Sequence, residues 1–211
     1  NEFIICLGYK GYVIKEYFMN YFLHNADITI DLQNNSTEVH TSASEPFKVT
    51  LVETGLDTMT AGRLKRVQKY IGEEDFMLTY GDGVARIDLD KLVQYHNEKG
   101  KIATMTAIQP GSRFGIMELD DSNDVKAFRE KPADDGAWIN GGFFVLKPEV
   151  FKYLHDDADD MMWERQPLTD LAKDGELTAF KHEDFWKCMD TLRDNIDLNE
   201  MWEENPKWKM W

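Results

Sequence analysis

Phe-Met-Leu-Thr-Tyr-Gly-Asp-Gly-Val-Ala, residues 76–85, is an apolar run that stops at a glycine-flanked aspartate. Four or five apolar residues ended by turn formers read as a buried strand leaving a core. Gly81 and Gly83 allow a tight turn and leave room for a ligand against the backbone. Asp82 is then a carboxylate at the carboxyl end of a strand, where open α/β sheets bind their ligands. Such a position suits Mg²⁺, which in phosphate chemistry takes one or two protein carboxylates and completes its shell with water and phosphate. Taken alone, Gly-Asp-Gly also reads as an ordinary polar turn.

Working outward, strands and helices alternate. Phe3–Leu7 is a continuous apolar run expected as a buried strand, and Tyr12–Leu23 carries apolar residues at helical spacing. Between them Gly8-Tyr9-Lys10-Gly11 is a loop that either connects or holds a phosphate on backbone N–H groups. Strands are expected at Ile28–Ile30 and Val49–Val52, with a short one near Glu38–His40. Thr58 or Thr60 is expected to cap a helix continuing through Leu64, Val67 and Ile71. Arg63, Lys65 and Arg66 crowd its first turns, where the helix dipole disfavours cations, so an anionic partner is expected beside an amphipathic surface reading.

After the Gly-Asp-Gly turn come a helix over Leu89–Lys99 and an alternating strand over Ile102–Ile108. This rhythm predicts an α/β fold, a mostly parallel sheet with helices on both faces. Phe114–Leu119 and Val125–Glu130 then read as a hairpin, and Ile139–Leu146 as a loop feeding a buried strand. Lys131 is either a phosphate ligand or an exposed lysine in an edge turn. A short helix is expected over Pro148–His155, another over Trp163–Lys173 broken early by Pro167, and a strand over Leu177–Phe180. Phe185–Thr191 leads into a last helix through Trp202, with Asp190 either an N-cap or a functional carboxylate. Trp202, Trp208 and Trp211 give the tail an apolar side suited to a subunit contact.

Composition narrows the function classes. The 211 residues fit one α/β domain, 1–211, without repeats or linkers. A formal charge of −15 argues against nucleic-acid binding, since no basic stripe is present to neutralise phosphates. The acidic clusters Asp120-Asp121, Asp134-Asp135 and Asp156–Asp160 read as solvated loops. Two cysteines far apart, Cys6 and Cys188, form no disulfide framework and fit a reducing cytoplasm. Apolar runs are too short to span a bilayer, so no membrane partner is expected.

Taken together, Cys6–Phe18, Val49–Arg66, Thr79–Ala85, Phe128–Pro132, Asn140–Leu146 and Phe185–Asp194 closely resemble the glucose-1-phosphate cytidylyltransferases of the sugar-phosphate nucleotidyltransferase superfamily. The resemblance implies a Rossmann-like nucleotide-diphospho-sugar transferase fold with the small hairpin serving the sugar. It implies that the phosphate of α-D-glucose 1-phosphate attacks the α-phosphorus of CTP, giving CDP-glucose and pyrophosphate. By the same resemblance Asp82 and Asp190 bind Mg²⁺, and Thr58, Arg63 and Gly81 contact the nucleotide. Glu130 and Lys131 read the sugar and its phosphate, with Asn140, Gly141 and Gly142 beside the sugar; Arg63 and Lys131 carry the charge neutralisation. The family serves surface polysaccharides such as the lipopolysaccharide O-antigen and forms homo-oligomers. Its amino-terminal strand, Gly-Gly-x-Gly-Thr-Arg loop and Lys-Pro-Lys-Pro segment have no counterpart in these residues. The chain is therefore expected to be an amino-terminally truncated fragment with impaired CTP binding. A non-catalytic sugar-phosphate-binding or assembly domain, and a metal-dependent glycosyltransferase, are the competing expectations.

Overall fold

The structure, a computed structural model, describes residues 1–41, 45–109, 116–119, 125–129 and 137–210. These divide into two compact units, Asn1–Gly72 with Phe151–Leu168, and Glu73–Val150 with the residues from Thr169 on.

In the first unit β1 is Glu2–Leu7, followed by α1 (Gly11–Met19) and α2 (Tyr21–His24), which split the expected single helix at Asn20. The hairpin β2 (Ile28–Asp31) with β3 (Ser36–Val39) precedes β4 (Lys48–Glu53). β1 and β4 pair in parallel, from Glu2↔Lys48 to Leu7↔Glu53. The apolar run of β1 promised burial, yet Phe3 is 44% exposed. Among the described residues its ladder has β4 as sole partner, so little covers its outer side.

α3 spans Thr60–Ile71 and buries Ala61, Leu64 and Val67 along one stripe. Neither Thr58 nor Thr60 caps it, contrary to expectation: the N-cap is Met59, without a side-chain bond. The orphan amides at the helix start go to backbone instead, Met59 N–H to the Asp159 carbonyl (2.7 Å) and Ala61 N–H to the Met161 carbonyl (3.0 Å). Thr60 serves the same docking from its side chain, donating to Glu164 (2.7 Å) and accepting from the Trp163 N–H (2.8 Å). The anion facing the α3 cations is likewise internal. Lys65 lies 3.6 Å from Asp156, and Arg66 pairs with Asp159 and donates to the Thr54 carbonyl. Part of the 156–160 acidic cluster is thus docked on a helix, not merely solvated.

In the second unit β5 (Phe76–Thr79) turns at Gly81-Asp82 into β6 (Gly83–Ala85). Then come α4 (Leu89–Lys99), β7 (Ala103–Ile108), the hairpin β8 (Ile116–Leu119) with β9 (Val125–Arg129), and β10 (Ile139–Leu146). α5 (Gln166–Lys173), whose first three residues are counted with the first unit, β11 (Leu177–His182), β12 (Trp186–Cys188) and α6 (Leu192–Glu204) follow. Pro167 does not break α5: it sits in the first turn, where a missing N–H costs nothing. The sheet order is β11-β7-β10-β5, with β11 parallel to β7 and β10 antiparallel to both neighbours. β5, β7 and β11 therefore share a direction and β10 alone is reversed. An antiparallel neighbour needs no crossover helix, and among the described residues a hairpin lies between β7 and β10. β5 is an edge strand with Met77 45% exposed, less buried than its apolar run suggests.

Why α4 holds its limits is local. The Asp88 side chain accepts from Lys91 N–H at 3.0 Å, and Gly100 closes the end at φ +65°. Its buried face carries Leu92 and His96, one turn apart. Leu92 packs with Ile87 and Val145 against Ala85, Phe143 and Phe180; each large side chain so buried contributes about 2 kcal/mol. The alternation along β7 does not mark a wet face: Thr104 and Thr106 are both fully buried.

His96 is also fully buried. Nδ1 lies 2.7 Å from Thr104 Oγ1, and Nε2 faces the Asp75 carboxylate at 3.8 Å. Burial pushes the imidazole below its usual titration range; Asp75 opposes this and Lys147 reinforces it. The unfolded chain, with an ordinary histidine near about 6.5, therefore takes up a proton that the folded chain refuses. This contribution to stability is complete above that pH and is lost as pH falls through it. Urea unfolding is expected to show a falling midpoint below about pH 6.5, with a shallower fall in His96→Asn.

Candidate active site

The turn after β5 opens onto a cavity of about 210 Å³ lined by Thr79, Tyr80, Asp82, Gly83, Asn140, Gly141, Gly142, Trp186, Cys188 and Asp190. Three chain segments meet there, for backbone reasons. β12 pairs antiparallel with β6, Cys188 opposite Gly83, and the Met189 N–H donates to the Asp82 carbonyl at 2.8 Å. β10 supplies the Asn140-Gly141-Gly142 corner. Its register slips there: Asn140 pairs with Ala107 but Phe144 with Met105, so β10 advances four residues while β7 advances two.

Asp82 and Asp190, distant in sequence, thus face one cavity, and both are exposed. Asp190 does not cap the following helix. That task falls to Thr191, whose hydroxyl accepts from Asp194 N–H while the Asp194 carboxylate accepts from Thr191 N–H, a complete capping box. The Asp190 carboxylate accepts instead from the Cys188 thiol, 3.1 Å away. Two carboxylates beside a small open cavity match the oxygen donors that a hard divalent cation takes, so the donor set fits Mg²⁺. Among the described residues no cluster of three or more His, Cys, Asp or Glu forms a metal cage, so such an ion would complete its shell from substrate and water.

Other residues singled out from the sequence fall as follows. Gly81 sits in the turn beside Asp82, where an added Cβ would point into open space. Asn140, Gly141 and Gly142 line the cavity. Glu130 and Lys131 lie outside the described residues. Thr58 and Arg63 belong to the first unit. Arg63 donates to the Leu7 and Gly55 carbonyls and to Thr54 Oγ1 through Nη1, and to the Leu56 carbonyl through Nη2. It braces the 54–56 loop against the end of β1. Thr58 is buried, wedged between Gly55 and Gly62.

Tyr80, Trp186 and Cys188 were not anticipated. A signal existed for each: Tyr80 adjoins the Gly-Asp-Gly turn, and Trp186 and Cys188 alternate on one face of β12. Lys187, between them, points the other way and pairs with Asp197 at 2.7 Å. Burial, then the hydrogen bond to Asp190, pushes the Cys188 thiol up to about 11. In the presence of a chelator Cys188 is therefore expected to react with iodoacetamide far more slowly at pH 8 than a free thiol of pKa about 8.5, and faster in Asp190→Asn.

A nucleotidyl transferase family pattern matches residues 11–204. The glucose-1-phosphate cytidylyltransferase of Salmonella typhi is 51% identical over 212 residues, covering 100% of this chain and 81% of that protein. Its namesake from Salmonella typhimurium (strain LT2) matches at the same identity and coverage. The chain belongs to the nucleotidyl transferase family, among the glucose-1-phosphate cytidylyltransferases. Among solved structures HddC from Yersinia pseudotuberculosis is similar, with a TM-score of 0.64 over 95% of this chain and 78% of that one, at 19% identity. That likeness is one of fold. It agrees with the Rossmann-like α/β architecture expected of a nucleotidyl transferase, here with β10 reversed in the sheet. No helix among the described residues is long and apolar enough to cross a membrane.

Proposed function

We propose that the chain forms CDP-glucose and pyrophosphate from CTP and α-D-glucose 1-phosphate. The observation that carries this is the 51% identity to glucose-1-phosphate cytidylyltransferase along the whole chain. A phosphate oxygen of the sugar phosphate bonds to the α-phosphorus of CTP. The bond from that phosphorus to the bridging oxygen of the β-phosphate breaks, and pyrophosphate leaves with the electron pair. The attacking phosphate is already ionised at neutral pH, so no general base is needed and the protein's work is positioning and charge neutralisation.

Asp82 and Asp190 are the residues that would hold Mg²⁺, which when bound offsets charge on the phosphoryl oxygens and orients the substrates. Their shared cavity, with the Asn140–Gly142 corner, supports the sugar phosphate as its occupant. At about 210 Å³ it is smaller than the roughly 300–1,000 Å³ of drug-sized pockets and suits one part of the substrates, not both. Asn140 orients sugar hydroxyls while Gly141 and Gly142 let the ring approach the backbone. Glu130 and Lys131 are assigned to the sugar and its phosphate, and Gly81 to the nucleotide. Arg63 and Thr58 serve the nucleotide by shaping the 54–58 loop, a role supported by Arg63 spending its donors on carbonyls.

This reading includes work in the cytoplasm, feeding surface-polysaccharide synthesis, which free cysteines in a reducing compartment favour. It also includes a homo-oligomer, supported by apolar residues exposed on α1, among them Tyr17 at 56% and Met19 at 72%. Purified protein with CTP, glucose 1-phosphate and Mg²⁺ is expected to release pyrophosphate and yield CDP-glucose by chromatography, with the weakened CTP affinity expected from the sequence. UTP, ATP and dTTP are expected to be poor replacements. Absence of product with CTP, or equal rates with all four nucleotides, would overturn the assignment.

A further inference from the structure

The Asn140-Gly141-Gly142 corner is unusual in how it is fastened. Two residues are pushed out of the β10–β7 register, and Gly142 adopts φ +80°, a conformation reserved in practice for glycine. The Gly142 N–H donates to Asn140 Oδ1 at 2.8 Å. An amide nitrogen cannot accept that proton, so this bond fixes which end of the Asn140 amide faces Gly142. The opposite end, Nδ2, donates to the Tyr80 hydroxyl at 3.3 Å. Tyr80 also holds the corner through its backbone, its N–H donating to the Gly142 carbonyl at 3.3 Å. The Tyr80 ring lies flush on Gly142: a Cβ at that position would stand 2.8 Å from Tyr80 Cδ2. Trp186 closes the other side, its indole N–H donating to the Gly141 carbonyl at 2.7 Å.

One hydrogen of Nδ2 is directed to Tyr80, and the amide plane is set by bonds at both ends. The second Nδ2 hydrogen is thereby aimed by the same two bonds, in a residue that lines the cavity. We propose that Tyr80 is a positioning residue for sugar recognition, whose hydroxyl orients Asn140 so that this N–H meets one ring hydroxyl of a hexose 1-phosphate. The inference rests on the sugar phosphate occupying this cavity, as argued above. It deepens that reading by naming what makes the corner selective. A site built to bond a hydroxyl discriminates strongly against the analogue that lacks it, because its own polar group is left unpaired. A loosely held amide re-orients to water and loses that discrimination.

Tyr80→Phe removes the hydroxyl and keeps the ring that packs on Gly142. Steady-state kinetics would be measured with glucose 1-phosphate and with its 2-, 3-, 4- and 6-deoxy analogues, together with thermal melting. Loss of one orienting hydrogen bond is expected to raise KM for glucose 1-phosphate about tenfold, with KM for CTP and the melting temperature unchanged. The wild type is expected to reject one deoxy analogue more than the others, and Tyr80→Phe to lose that preference. Asn140→Ala is expected to lose the same preference, and the double variant to lose no more, as for residues acting through one contact. Unchanged selectivity in Tyr80→Phe, or a parallel rise in KM for CTP, would overturn the inference while leaving the cytidylyl transfer intact. A wild type that makes no CDP-glucose would instead overturn the reading of the cavity itself.

Discussion

Asp190→Asn and Asp82→Asn are each expected to lower kcat/KM for CDP-glucose formation by about a thousandfold, with no change in melting temperature. Each substitution keeps the shape of the side chain and removes one negative charge from the cavity. Removing a ligand of a cation that supplies several kcal/mol of charge stabilisation corresponds to about three powers of ten in rate. Folding is spared because both side chains are exposed and neither carries a structural bond that an amide would break. Thr191 and Asp194 cap α6 without help from Asp190. The thiol of Cys188 still finds an acceptor in the asparagine oxygen. Glu200→Gln, on the exposed part of α6, is the control expected to leave activity unchanged. The checks are initial rates across an Mg²⁺ titration and circular-dichroism melting. If both aspartate variants turn over like the wild type, the two carboxylates do not hold the ion.

Gly62→Ala is expected to cost about 2–3 kcal/mol of stability, although alanine is the better helix former by about 1 kcal/mol. Gly62 lies inside α3, where an added methyl group would meet the Ala158 carbonyl oxygen at 2.7 Å, Thr58 Cγ2 at 2.7 Å and Asp159 Cα at 2.8 Å. Two of these three are backbone atoms and cannot swing aside. They belong to the segment whose Asp159 and Met161 carbonyls satisfy the first amides of α3, so relieving the clash would undo the cap. The clash therefore outweighs the gain in propensity. Urea unfolding monitored by far-ultraviolet circular dichroism measures the difference; an unchanged or higher midpoint would mean that this segment is free to move.

Elements governed by neighbours in the chain were legible in the sequence. α4 spans the expected Leu89–Lys99, because its caps at Asp88 and Gly100 are decided within a turn. The Gly-Asp-Gly turn was recognisable for the same reason. Asp190 was identified through the family likeness; its freedom from capping became visible only when Thr191 and Asp194 were seen to bond each other. What escaped reading was set by partners remote in sequence. The start of α3 takes carbonyls from 159 and 161, so no side chain among 58–60 is needed to cap it. The bonds of Arg63 to the carbonyls of Leu7, Gly55 and Leu56 were likewise illegible, because those groups meet only in three dimensions. The burial of β1 and β5 was overestimated since an apolar run does not reveal how many strands will flank it. Tyr80 stood beside the motif throughout, but its link to Asn140 joins two strands of the sheet.

The single main-chain bond from Met189 to Asp82 has a wider meaning. It yokes the two acidic positions through peptide groups, so the gap between them is dictated by strand geometry and is indifferent to which side chains surround it. Sugar and base preferences are thus open to drift through the neighbouring wall residues while the two carboxylates proposed to hold the ion keep their spacing. A one-residue insertion into the 186–188 segment, by contrast, would throw the pair out of step and silence the protein whatever substrate it preferred.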